Sequence, residues 1–131
     1  MKTSSLFVFA LLAGVTGCSF AARSPDMYRD DTAALLETRN AQIQSCYDQA
    51  LKTAPDLQGR VTVRFTVETE TGNLSNVAAD PAGTTAPEPL TKCVVDSLQG
   101  LVLAPPDQRQ GNAAFVYDFT PAPPPAPAPA G

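Results

Sequence analysis

Histidine is absent from all 131 residues. That removes the side chain most used as a general base and metal ligand near neutral pH. Basic residues are also scarce, 9 Lys and Arg against 13 Asp and Glu for a net charge of -4, and none form a stripe. Nucleic acid is therefore excluded as a partner class. No Gly-rich phosphate loop, nucleophile elbow or paired-carboxylate motif is present. The acidic pairs Asp30-Asp31 and Glu68/Glu70 read more simply as a helix start and as solvent-facing strand positions. Cysteine occurs three times, too widely spaced for the paired ligands of a zinc site. A catalytic, cofactor or metal role finds no support in this inventory. Length allows one small domain, since a chain this short builds a single core.

Long apolar runs are missing as well, and the longest one lies at the start. Lys2 precedes an apolar core from Leu6 to Leu12, and small residues from Ala13 lead to Val15-Thr16-Gly17-Cys18. About a dozen apolar residues are too few to span a bilayer. The layout is that of a secretory signal, and a cysteine at the cut resembles a bacterial lipobox. Residues 1–17 are then expected to be a signal peptide and Cys18 the lipid-bearing first residue of the mature chain, with a plain secretory peptide and an incidental cysteine as the alternative. Ser19 stands where Asp retains enteric lipoproteins at the inner membrane, so the resemblance favours the outer membrane, facing the periplasm. The expected membrane contact is this lipid, because the charge supplies none.

With Cys18 assigned to lipid, Cys46 and Cys93 remain. In an oxidising periplasm the even remainder reads as one disulfide, with two buried free thiols as the alternative.

Composition divides the mature chain into three zones. Residues 18–29 read as a tether, which fully extended reaches roughly 40 Å. Residues 121–131 alternate Pro and Ala around Pro123-Pro124-Pro125 and favour polyproline II, either a solvated end, a spacer or a ligand for an aromatic groove. Residues 30–120 carry the periodic signal. Asp30 or Asp31 is expected to cap a helix that ends at Pro55, with Leu36, Ile43, Cys46, Tyr47, Ala50 and Leu51 on one stripe. Val61, Val63, Phe65 and Val67 then alternate with Thr62, Arg64, Thr66 and Glu68, as in a half-buried strand. Gly72 and Asn73 suit positive φ in a turn before a returning strand, Leu74 to Ala79. A second helix from about Pro89 carries Leu90, Cys93, Val94 and Leu98, and Phe115, Tyr117 and Phe119 alternate along a third strand. The expected fold is α+β, two helices packed on a three-stranded, mainly antiparallel sheet in the order α-β-β-α-β.

These segments also carry a family resemblance. Cys46-Tyr47-Asp48-Gln49-Ala50-Leu51, the run Gly59-Arg60-Val61-Thr62-Val63-Arg64-Phe65 with Gly72 after it, Lys92-Cys93-Val94-Val95 and Val116-Tyr117-Asp118-Phe119 are together similar to the AgmX/PglI C-terminal domain, a TonB C-terminal-like periplasmic module. It spans Gln44 to Phe119. Where that family has an aromatic residue and Phe-Pro before the last strand, this chain has Leu101 to Pro106. TonB modules bind an extended partner segment along the last strand, so the resemblance implies strand addition. The candidate edge is Val116, Tyr117 and Asp118, open unless the loop or the proline tail covers it. The expected function is a non-catalytic envelope lipoprotein that acts as adaptor or scaffold for an envelope protein, in a transport or gliding-motility assembly. The alternatives are a small-ligand or glycan carrier, which a concave, partly exposed cluster of Phe65, Phe115 and Tyr117 would favour and full burial of all three would end, and a purely structural lipoprotein.

Overall fold

The computed structural model describes residues 21–121. The signal segment, Cys18 and the chain beyond Pro121 lie outside the described residues. The first helix starts earlier than the Asp30/Asp31 expectation. Helix α1 runs Pro25–Glu37 behind Ser24, whose side chain accepts from the Met27 N–H at 3.2 Å. A Ser-Pro-Asp start supplies a cap, a first residue with no N–H to satisfy and an early acidic charge, and it competes better than an Asp further in. Residues 25–29 are therefore helix and not tether. The single helix expected up to Pro55 is also two. The N–H groups of Thr38 and Arg39 reach back three residues, to Leu35 and Leu36, and this tight turn separates α1 from α2, Asn40–Thr53.

Strands β1 (Gly59–Val67), β2 (Leu74–Ala79) and β3 (Gly111–Phe119) form one antiparallel sheet in the order β2-β1-β3. The α+β architecture is as expected, with three helices in place of two. Between β1 and β2 the turn needs Gly72, at φ +73°, because a Cβ there would stand 2.0 Å from the Leu103 carbonyl oxygen. Glu70 takes the second positive φ expected of Asn73. Helix α3, Glu88–Ser97, buries Leu90 and Val94. The Leu101 to Pro106 stretch packs against the turn: Leu101 and Leu103 are buried, the Leu101 carbonyl accepting from Leu74 and the Leu103 N–H donating to Gly72.

The helices cover one face of the sheet. Val61, Val63, Phe65 and Val67 are buried there with Leu36, Ile43, Tyr47, Leu90, Val94 and Leu98, a single core. Burying each such side chain contributes roughly 1.5–3 kcal/mol against leaving it in water. The opposite face is polar, with Arg60 paired to Asp118 and Arg64 to Asp80 at 2.8 and 2.7 Å. Thr62 departs from the expected wet alternation, since its hydroxyl donates to the Gly83 carbonyl and the loop after Asp80 buries it.

Candidate functional site

Strand β3 is an edge, and its backbone polarity can be deduced from its neighbour. In an antiparallel pair each residue points both its N–H and its C=O to the same side, and the side alternates along the strand. Arg60 and Thr62 use theirs away from β3: the Arg60 carbonyl accepts from Thr85 and Ala86, the Thr62 carbonyl accepts from Asp80, and their N–H groups donate to Thr85 and Thr84 hydroxyls. Asp118 and Val116 stand opposite Arg60 and Thr62 and so direct their own backbone groups outward. By the same alternation Ala114 and Asn112 do so too. Four consecutive outward positions thus form a ladder with no backbone partner among the described residues.

Of the three expected edge residues, Val116 and Asp118 belong to this ladder and Tyr117 does not. Tyr117 pairs with Val61 and turns its ring to the helix side, where Phe115, Tyr117 and Phe119 line up with centroids 5.8 and 6.5 Å apart. Val116 is 48 % exposed, and Asp118 holds Arg60 on the polar face. Phe65 is buried in the core while Phe115 and Tyr117 are half-buried, so the three are neither all buried nor all open.

Two clefts flank the outward edge on the helix side. The first, about 440 Å³, lies between α1 and the start of β3, with Arg23, Tyr28, Arg29 and Thr32 facing Gly111 to Ala114. Tyr28 lies where a Cβ on Gly111 would stand, 2.4 Å from its ring. The second, about 310 Å³, lies between α2 and the end of β3 and is lined by Asn40, Gln44, Tyr47 and Tyr117. Burial pushes the Tyr117 phenol up to about 12. The Tyr28 phenol is raised by burial and then by the Asp107 charge.

A strap with no sequence motif to mark it borders the first cleft. Ala21 bonds Pro106 and Gln108 through its N–H and C=O, and Arg23 follows into the interior. The Arg23 N–H donates to Asp107 at 2.9 Å and its guanidinium to Asp31 at 2.6 Å, with the Arg23 and Asp107 side chains 2 % and 1 % exposed. Burial alone would raise the Asp107 carboxyl, but the N–H groups of Arg23 and Arg109 and the charges of both arginines hold it below its ordinary value. The only local signal was a lone Arg in an apolar stretch. The expected disulfide pair is brought together, Cys46 on α2 and Cys93 on α3 standing at bonding distance, 2.03 Å. Among the described residues no cluster of metal-ligating side chains occurs, and no helix is long and apolar enough to cross a membrane.

No family model, curated protein or solved structure matches the chain. The TonB-like resemblance therefore stands on the residues that carry it.

Proposed function

We propose that this protein is a non-catalytic cell-envelope lipoprotein that holds a partner protein by adding one of its extended segments to β3, in the manner the AgmX/PglI and TonB resemblance implies. The observation that carries this reading is the unpaired outward ladder of Asn112, Ala114, Val116 and Asp118. Main-chain bonds along such an edge supply affinity, and the flanking clefts supply side-chain selection.

Anchorage follows from the same reading. With lipid on Cys18 the domain hangs close to its membrane, because Ala21 is already bonded to Pro106 and Gln108. Three residues span at most roughly 10 Å, not the 40 Å of a long tether. The partner segment must accordingly come to the membrane surface, which suits an adaptor for an envelope assembly.

The test is a photo-crosslinking residue at the exposed Ala114 in living cells. A single envelope protein joined through an extended segment, and lost when Val116→Pro is added, is the expected result. Adducts that persist in the Val116→Pro protein would remove strand addition. A Cys18→Ser protein that is still processed and still fractionates with membranes would remove the lipid anchor.

A further inference from the structure

Four side-chain polar atoms are buried without a hydrogen-bond partner among the described residues: Tyr28 Oη, Tyr117 Oη, Arg39 Nε, and Arg23 Nη1, which stands 3.7 Å from Asp107 Oδ2 as an ion pair. Three of the four residues line the two clefts beside β3, Arg23 and Tyr28 the first and Tyr117 the second. Each orphaned atom can donate a hydrogen bond, and the arginine nitrogen can only donate. Buried polar groups left unsatisfied are uncommon in native structures and costly, and clusters of them call for a partner. Arg23 is itself almost wholly buried.

The strand geometry says which part of an added segment would meet these donors. Residues of that segment opposite Ala113 and Tyr117 fall between the outward-bonding positions, and their side chains rise on the helix side with those of Ala113 and Tyr117. The two positions are four residues apart, roughly 13 Å along a strand. Ala113 lines the first cleft together with Tyr28, and Asn40 and Gln44 line the second.

Resting on the strand-addition reading, we infer that the partner is a single extended segment with hydrogen-bond acceptors, carboxylate or carboxamide side chains, at positions i and i+4. One acceptor meets the Tyr28 hydroxyl, beside the Arg23 guanidinium; the other meets Tyr117. The positions between them face solvent or Phe115 and carry little selectivity.

A displayed library of random nonapeptides, selected against the full chain, tests this. The expected peptides are enriched in Asp, Glu, Asn or Gln at two positions four apart. Their binding is abolished by Val116→Pro and weakened about tenfold by Tyr28→Phe or Tyr117→Phe, the loss of about one hydrogen bond. The Phe variants remove only unpartnered hydroxyls, and unchanged unfolding midpoints would show that the fold is intact. Peptides abolished by Val116→Pro but lacking the acceptor pair, or indifferent to both Phe variants, would overturn the acceptor rule and leave strand addition standing. Peptides that bind the Val116→Pro protein as well as the parent, or no enrichment at all, would overturn both. Concentration-dependent self-association abolished by Val116→Pro would make a second copy the occupant and overturn the proposal.

Discussion

Arg23 and Asp107, 84 residues apart in sequence, meet with both side chains almost wholly buried, and the Arg23 backbone N–H donates to the Asp107 carboxylate at 2.9 Å. This contact joins the segment that begins at Ala21 to the loop that enters β3. It turns a stretch with a linker's composition into part of the fold.

Removing one member of such a buried pair leaves the other uncompensated, so Asp107→Ala is expected to cost about 3 kcal/mol. The pH dependence has a defined sign. The folded-state pKa of Asp107 is depressed, so its contribution is complete above the ordinary carboxylate range and is lost as pH falls through the lower folded value. Urea unfolding midpoints between pH 7 and 3 should converge for the parent and Asp107→Asn as acidity increases. Parallel curves would count against the contact.

The Cys46–Cys93 bridge closes a loop with a sequence separation of 47. In the chain-entropy model its loss costs roughly 4 kcal/mol. The Cys46→Ser/Cys93→Ser double variant should unfold at a much lower denaturant concentration, and reductant should move the parent to the same midpoint without moving the variant.

Proline at two neighbouring positions separates the outer edge from the inner ladder. Val116→Pro removes an N–H that points outward and is expected to change stability by about 1 kcal/mol or less, since edge positions tolerate proline. Tyr117→Pro removes a bond to Val61 and should cost about 3 kcal/mol, a magnitude typical of a broken buried network. Thermal unfolding of the two variants measures the difference; equal losses would refute the assigned backbone polarity.

Gly111→Ala places a methyl group 2.4 Å from the Tyr28 ring, so the ring and the first turn of α1 must shift. Overpacking of this kind costs about 1–3 kcal/mol. Limited proteolysis should cut the variant first between Ala21 and Arg29, where the parent resists.

Tyr117 ties stability to alkaline pH. Its folded pKa is raised to about 12, so its contribution is complete below the ordinary phenol value near 10 and disappears as pH rises through 12. Tyr117→Phe should flatten the fall in stability over this window. It should not destabilise the protein at neutral pH, because the hydroxyl has no hydrogen-bond partner among the described residues.

Local physics was enough for the sheet. The period-two run from Val61 to Val67, the Gly72 turn, the returning strand Leu74 to Ala79 and the alternating aromatics up to Phe119 each define a strand without help from distant residues. The two cysteines fell on core-facing helix stripes, so their approach was also legible. Helix boundaries were less so, because the Ser24-Pro25 start and the three-residue turns at Thr38 and Arg39 depend on short-range bonds that an apolar stripe does not encode. What only the tertiary structure decided is which way each edge residue faces. The hydrogen bonds of Arg60 and Thr62 to the loop after Asp80 set the outward parity of Val116 and Asp118 and turn Tyr117 inward. The clefts, the buried Arg23–Asp107 contact and the orphaned donors likewise arise from segments far apart in the chain, and sequence periodicity reports a residue's own face but not what is packed against it.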